Sequence, residues 1–241
     1  VGEKISIVSN KPQTTRTRVT GIVNVDETQL VLLDTPGFHK AKNRLDEYMN
    51  KIIQDSVSVV DACLLMVPPI THVGPQEEGL IESIKKSGMP AILAINKIDT
   101  VEKQELLAVI AAYSSLYDFD AIIPISAATG EGVKELTAEL CKYAEEGPHL
   151  FPDDMITDSP ERAICAELIR EKLLNCLDKE IPHGTAVAVE RFTERDNGII
   201  DLDATIYCEK QSHKGIIIGK NGAMLKKIGE QARHDIEAFM G

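Results

Sequence analysis

The chain has 241 residues, which is long enough for two compact domains, and 43% of them are hydrophobic. No apolar run approaches the roughly 20 residues that a membrane-spanning helix needs, and the longest, 62–70, is interrupted by Pro68 and Pro69. The formal net charge of −12 argues against a surface coated with nucleic acid, so any basic binding face has to be local.

The first 144 residues alternate short apolar runs with helix-like segments. Strands are predicted over 19–25, 29–34, 57–67, 91–95 and 122–126, and helices are predicted from Pro75 to Gly88 and over 132–144. The first two strands are spaced as an antiparallel hairpin. The later strands alternate with helices, which predicts a doubly wound, mostly parallel α/β sheet.

Polar residues follow the predicted strand 91–95 at once, in the order Asn96-Lys97-Ile98-Asp99. The carboxyl ends of parallel strands form the edge at which open α/β sheets bind ligands. A carboxylate at Asp99 can accept hydrogen bonds from the N1–H and the exocyclic amine of guanine, a donor pair that adenine lacks on that edge. We expect Asp99 to select guanine, Lys97 to lie along the base and Asn96 to tie loops together. An ordinary turn is the alternative for four residues taken alone.

Two more apolar runs end in polar signatures. The run 29–34 ends in DTPG (34–37), and the run 122–126 ends in SA (126–127) before a glycine-containing loop. Together with QTTR (13–16) upstream, the signatures in this order resemble the Era family of translation-associated GTPases. The resemblance implies a P-loop-NTPase-like G domain that binds GTP or GDP with Mg²⁺.

The resemblance also implies roles for individual residues. Thr15, in the first switch loop, is expected to bind Mg²⁺ when a γ-phosphate is present, and the neighbouring Thr14 is an open alternative. Asp34 is expected to hold Mg²⁺ and the Gly37 amide to face the γ-phosphate, so Thr15 and Gly37 are the predicted catalytic residues. The predicted nucleotide-binding residues are Asp34, Thr35, Pro36, Gly37, Phe38, Asn96, Lys97, Asp99, Ser126 and Ala127.

The residues after Gly37 bear on hydrolysis. Many GTPases place a glutamine near here to orient the attacking water, but this chain has Phe38 and then His39. Because an apolar side chain cannot orient water, intrinsic hydrolysis is expected to be slow or to depend on another group. His39 is one candidate for that group, and a merely solvated loop histidine is the alternative.

The chain changes character at 145–160, a segment rich in proline and carboxylates that predicts a linker. Ser159 is expected to cap, and Pro160 to start, a helix that ends before Pro182. Strands are predicted over 185–192 and 199–209, joined by a hairpin turn at Asn197-Gly198. A GKNG loop (219–222) and two helical stretches, separated near Gly229, follow.

This order of elements resembles the prokaryotic, type II KH fold, an α+β domain whose GxxG loop clamps the backbone of about four nucleotides. A sugar–phosphate chain can approach the main chain closely only where no β-carbon intervenes, which explains the glycines. Five lysines and no acidic residue lie between 210 and 229, with 216–218 as an apolar floor for bases. The predicted RNA-binding residues are Lys214, Ile216, Ile217, Ile218, Gly219, Lys220, Asn221, Gly222, Lys226 and Lys227.

Two features of these families have no counterpart in the sequence. No GxxxxGK[ST] phosphate-binding loop occurs, and the glycines near Lys220 fail that pattern because Asn221 stands where Ser or Thr is required. The chain also stops at Gly241, before the last strand of a type II KH fold. The sequence therefore predicts a truncated GTPase with weak GTP binding, comprising a G domain (1–147), a linker (148–160) and a KH domain (161–241).

By the resemblance, the complete protein is a GTP-hydrolysing switch that binds 16S rRNA near its 3′ end and assists assembly of the 30S ribosomal subunit, as a monomer. A KH RNA-binding module without nucleotide activity is the alternative, favoured by the missing phosphate-binding loop. Five scattered cysteines without metal-ligand spacing predict small core residues in a reducing cytoplasm. The resemblance adds peripheral association with the inner membrane.

Overall fold

The structure is a computed structural model that describes residues 1–11, 14–37, 44–57 and 59–241. The strands are β1 Val19–Val25, β2 Thr28–Asp34, β3 Cys63–Val67, β4 Ala91–Ile95, β5 Ala121–Pro124, β6 Thr185–Glu194 and β7 Ile200–Cys208. The helices are α1 Arg44–Val57, α2 Pro75–Ser87, α3 Lys103–Ser114, α4 Val133–Cys141, α5 Glu161–Cys176, α6 Gln211–Ile218 and α7 Ala223–Met240. None of these described helices combines the length and the apolar character needed to cross a bilayer.

The chain divides into two compact units that do not follow the order of the sequence. The first unit contains residues 1–21, 33–37 and 155–241, and the second contains 22–32 and 38–154. The N-terminal residues therefore group with the C-terminal ones. The domain limits read from the sequence, 1–147, 148–160 and 161–241, stay a prediction.

A parallel sheet with the strand order β3-β4-β5 forms the core of the second unit, which confirms the predicted α/β class. All five residues of the central strand β4 have 0% exposure. Leu93 and Ile95 pack with residues of α2 and α3, whereas Ile92 and Ala94 pack with α4 on the opposite face. Burial on both faces explains why the strand reads as a continuous apolar run.

The antiparallel pair β6-β7 packs with three helices in the first unit. Leu173 and Leu177, from α5 and the residue after it, form a buried cluster with Ile217 of α6 and Ile228 of α7. The order along the chain is helix, strand, strand, helix, GxxG, helix, so α6 precedes the GxxG loop, a helix that the sequence pattern did not predict. A bulge between Val189 and Arg191 is the only register shift along the pair.

The N-terminal segment 1–18 contains no described helix or strand, yet side chains of α5 fix it in place. Ile7 is 7% exposed and packs against Ile164 and Leu168. The buried Glu171 carboxylate accepts hydrogen bonds from the Val8 N–H (2.8 Å) and from Lys4 Nζ (2.8 Å). Burial opposes ionisation of Glu171, but hydrogen bonds from lysine ammonium groups and from a backbone N–H outweigh it and lower its pKa.

The predicted linker has no helix or strand, but it is pinned to the β1–β2 hairpin within the second unit. Gln29 Nε2 donates to the Phe151 carbonyl (3.0 Å), and the Phe151 N–H donates to Gln29 Oε1 (2.9 Å). His149 Nδ1 lies 2.6 Å from Asp153 Oδ1, and this hydrogen bond raises the pKa of the imidazole. The segment is therefore ordered by side-chain contacts rather than by regular secondary structure.

Three local predictions are wrong, each for a physical reason. The run 57–67 is not one strand, because α1 extends to Val57 and β3 begins only at Cys63. Gly229 does not separate two helices: α7 runs through it, held by Ile228 and Ala232, which are 0% and 2% exposed. Ser159 does not cap α5, since the N-cap is Pro160 and no side chain caps the helix.

Two glycines in the loop before α4 provide a matched test of backbone strain. Both have positive φ, 85° at Gly130 and 73° at Gly132, but only at Gly132 would a Cβ meet an atom, the Pro124 carbonyl oxygen at 2.3 Å. We expect Gly130→Ala to lower the free energy of unfolding by about 1 kcal/mol. Gly132→Ala should lower it by about 3 kcal/mol, because the backbone must also shift. Urea unfolding measures both, and equal losses would contradict this account.

Candidate functional site

The side chain of Asn96 joins two loops at the carboxyl edge of the parallel sheet. Its Oδ1 accepts hydrogen bonds from the Lys97 N–H (2.8 Å) and from the Ala127 N–H (3.0 Å). The backbone N–H of Asn96 donates to the Val67 carbonyl (2.8 Å), which ties the end of β4 to the end of β3. The loops that follow β4 and β5 are thereby held in one place.

The turn after Asn96 presents an exposed carboxylate. Lys97 adopts a left-handed conformation (φ 70°, ψ 35°), and Thr100 closes the turn by donating from Oγ1 to the Lys97 carbonyl (2.7 Å). Asp99 is exposed, and nothing in the described part of the chain donates a hydrogen bond to it or pairs with it. Since non-glycine residues with positive φ are uncommon, a strained lysine beside a free carboxylate indicates a functional site.

Ser126 and Ala127 occupy different environments on the facing loop. Ser126 has 0% exposure, its N–H donates to the Glu131 carbonyl (2.9 Å), and its Oγ accepts from the Thr129 N–H (3.2 Å). Ser126 therefore shapes the loop from inside. Ala127 lies at the surface, and its N–H donates a hydrogen bond to Asn96 Oδ1. The predicted base-binding residues Asn96, Lys97, Asp99, Ser126 and Ala127 thus gather at one edge of the sheet.

A second group of polar side chains, in the first unit, surrounds Asp34. Its Oδ2 accepts hydrogen bonds from Thr15 Oγ1 (3.2 Å) and Ser6 Oγ (3.3 Å). Partial burial raises the pKa of the Asp34 carboxyl, while those hydroxyls and the Thr35 N–H oppose the rise. Sequence reasoning missed Ser6, because a serine in a short apolar segment gives no signal. One carboxylate and two hydroxyls are the hard oxygen donors that Mg²⁺ accepts alongside substrate phosphates.

The structure distinguishes between the two adjacent threonines. Thr14 Oγ1 donates a hydrogen bond to the nearby Lys11 carbonyl (2.7 Å). The Thr15 hydroxyl instead donates a hydrogen bond to the Asp34 carboxylate. Across the described residues, no group of three or more His, Cys, Asp or Glu side chains could hold a metal by itself. Besides Asp34 and Thr15, the ligands of a Mg²⁺ ion held here would be oxygen atoms of water or of a bound nucleotide.

The DTPG stretch begins at the exposed Asp34, turns inward and returns to the surface at Gly37. Pro36 is buried and Thr35 half-buried, while Gly37 is exposed, and a Cβ added to Gly37 would meet no atom within 4 Å. The main chain at Gly37 is thus open to close approach by a ligand. The predicted nucleotide-binding residue Phe38, and His39 beside it, lie outside the described residues.

The GKNG loop between α6 and α7 has three residues with positive φ. Gly219 (φ 72°) passes so close to α7 that a Cβ would lie 2.7 Å from Met224 Cβ. Gly222 (φ 78°) has open space around it, and Asn221 adopts a left-handed conformation at φ 52°. The first glycine is therefore required by packing, while the second leaves bare main chain at the surface.

Exposed lysines surround this loop. Lys214, Lys220 and Lys227 are exposed and form no ion pair within the described ranges, and Lys226 Nζ lies 3.8 Å from Glu230 Oε1. These side chains are available to phosphates.

The apolar floor predicted at 216–218 needs a correction. Ile216 and Ile218 are 50% and 36% exposed, but Ile217 is 4% exposed and packs in the α5–α7 core. Three consecutive residues of a helix cannot share one face, so the middle isoleucine points inward.

Comparison with known proteins identifies the family of the chain. Residues 1–97 match a family described as 50S ribosome-binding GTPase, and residues 180–241 match the KH domain family. GTPase Era of Ruminiclostridium cellulolyticum is 50% identical over 239 residues, which is 99% of this chain and 80% of that protein. The chain belongs to the Era GTPase family. GTPase Era of Clostridioides difficile is 49% identical and covers 100% of this chain and 82% of its own length.

Solved Era structures share this fold. A crystal structure of Era in complex with MgGDPNP and nucleotides 1506–1542 of 16S ribosomal RNA aligns with a TM-score of 0.95 at 35% identity, over 100% of this chain and 82% of that chain. An Aquifex aeolicus Era variant bound to GDP.AlF4- aligns equally well, with a TM-score of 0.95 at 36% identity, over 100% of this chain and 83% of that one.

Replacing Asn96 tests whether its side-chain oxygen holds the loops after β4 and β5 together. Asn96→Ala removes the acceptor of the Lys97 and Ala127 N–H groups, so we expect amide exchange at Ala127 to rise about tenfold. Asn96→Asp keeps an acceptor oxygen and should leave exchange near the unmodified rate. Hydrogen–deuterium exchange measures both, and unchanged protection of Ala127 in Asn96→Ala would rule out the bridge.

Proposed function

We propose that the protein binds GTP and GDP, hydrolyses GTP and uses this cycle to control its binding to 16S rRNA near the 3′ end during 30S subunit assembly. The observation that carries the proposal is the exposed, unpartnered Asp99 carboxylate at the end of β4, in a chain that also presents the GKNG loop. A KH module without nucleotide activity is disfavoured, because the base-reading residues are present and assembled.

Base selection rests on Asp99. Its carboxylate accepts from the two donors on the Watson–Crick edge of guanine, and adenine offers no such pair. The Lys97 stem lies along the base plane, and Asn96 fixes both loops from beneath. Selectivity is large because an analogue that leaves a polar group unpaired loses binding at the site.

Phosphate and Mg²⁺ binding rests on Asp34 and the two hydroxyls beside it, those of Thr15 and Ser6. Thr15 and Asp34 are the residues that would hold Mg²⁺, which neutralises charge on the phosphate oxygens when it is bound. That the Gly37 N–H donates to the γ-phosphate and reports its loss stays an expectation of the resemblance.

RNA binding rests on the GKNG loop. Gly222 offers main chain without a Cβ, and Lys214, Lys220 and Lys227 offer unpaired positive charge. Exposed Ile216 and Ile218 supply apolar surface for bases in a chain with 4% aromatic residues. Five free cysteines support a reducing, cytoplasmic location as part of the same proposal, and peripheral membrane association stays an expectation of the resemblance.

Asp99→Asn tests base reading in the full-length gene product. The amide places a donor against the guanine donors, so affinity for fluorescent GDP should fall at least about a hundredfold while affinity for the xanthine analogue rises. Asp118→Asn, at another exposed aspartate of the second unit, is the matched control and should change neither affinity. Unchanged preference for GDP in Asp99→Asn would refute the assignment.

Lys220→Ala tests the RNA clamp. We expect weaker binding to an RNA of the 16S 3′ end, and a slope of log affinity against log salt that is shallower by about 0.7, the value for one phosphate on a single strand. Lys86→Ala, at an exposed lysine of α2, should leave the slope unchanged. Lys220 is a sharper test than Gly219, where any side chain would also collide with Met224. An unaltered slope in Lys220→Ala would count against the clamp.

A further inference from the structure

The two neighbours of Thr15 in the sequence form hydrogen bonds to α5 and to the start of β6, within the unit that also carries the GKNG loop. The Thr14 carbonyl before it accepts a hydrogen bond from Arg170 Nη2 on α5. Arg16 after it donates to the carbonyls of Thr185 (2.6 Å) and His183 (2.7 Å), at the start of β6. The backbone that directs the Thr15 hydroxyl to Asp34 is thus set by α5 and β6.

Arg170 is oriented before it reaches Thr14. Its Nε donates to Glu167 Oε1 (2.9 Å), its Nη2 donates to Glu167 Oε2 (2.6 Å), and its side chain is 3% exposed. The planar guanidinium is therefore fixed, with Nη2 shared between a carboxylate and a switch-loop carbonyl.

The same arginine carries an unsatisfied group. Arg170 Nη1 is buried without a hydrogen-bond partner, which is an arrangement that stability alone disfavours. Of the described hydrogen bonds of this guanidinium, the one to the Thr14 carbonyl joins α5 to the N-terminal segment.

We propose that Arg170 is a positioning residue for Thr15. By holding the Thr14 carbonyl it keeps the Thr15 hydroxyl on Asp34, and it makes α5 the physical link from the KH core to the predicted Mg²⁺ ligand. α5 packs on α7 through Leu173 and Ile228, and α7 begins directly after the GKNG loop. The inference rests on the proposed role of Thr15.

α5 provides a matched control for this contact. Arg162, two turns earlier, also donates a hydrogen bond from Nη2 to a backbone carbonyl, that of Val189 at 2.5 Å. It makes no described hydrogen bond to residues 14–16. Arg162→Lys and Arg170→Lys therefore remove the same kind of bond from the same helix, and only Arg170→Lys touches the switch loop.

The first experiment measures the contact without nucleotide. In hydrogen–deuterium exchange of the full-length gene product, Arg170→Lys should raise exchange across residues 14–17 about tenfold, because a lysine cannot form both arms of the fork. Arg162→Lys should leave that segment unchanged, and Glu167→Gln should give a smaller increase because it frees the guanidinium without removing it. Unchanged exchange in both Arg170→Lys and Glu167→Gln would overturn the proposal.

The second experiment is a double-mutant cycle in GTP hydrolysis. Arg170→Lys should lower kcat about tenfold without changing KM, and it should add no further loss in a Thr15→Ala background. Independent, multiplying losses would overturn the positioning role. Absence of GDP binding by the unmodified protein would instead refute the proposed function, and the exchange experiment would still decide whether Arg170 orders the segment.

Discussion

Complete burial of β4 is the constraint on which the second unit depends. A strand covered on both faces cannot carry a polar side chain along its length, so its polar residues are confined to the carboxyl end. Asn96 is the first of them, and its single oxygen receives N–H groups from two loops at once. Placement of Asp99 follows from this bridge and from the left-handed turn at Lys97, rather than from contacts of the aspartate itself.

The first unit uses polar contacts differently, to organise chain that has no secondary structure. Between 4 and 16 the described backbone is held by charged side chains of α5, above all Glu171 and Arg170. Such contacts are directional, so they can fix the orientation of a hydroxyl such as that of Thr15. Hydrophobic packing of Ile7 adds a non-directional stabilisation to these polar contacts.

Periodicity predicted the parallel sheet and the hairpin pairs, and strand-end motifs predicted which polar residues lie together at the sheet edge, whose ligand-binding roles stay a prediction. These sequence patterns gave wrong predictions where tertiary packing overrides local preference. Gly229 weakens a helix by only about 1 kcal/mol, and burial of Ile228 and Ala232 on either side outweighs that cost. Contacts such as Arg170 to Thr14 join residues 156 positions apart, and no pattern in a single sequence reports them.

Ile7 sits 7% exposed against α5, although more than 150 residues separate it from that helix. Two distant segments of the chain therefore build one hydrophobic core. A recombination event that transferred only the codons after the linker would lose Ile7, which packs against Leu168 and Leu174. Relatives that exchanged this region successfully would have had to inherit the codons around Ile7 with it, so the two segments are expected to evolve together.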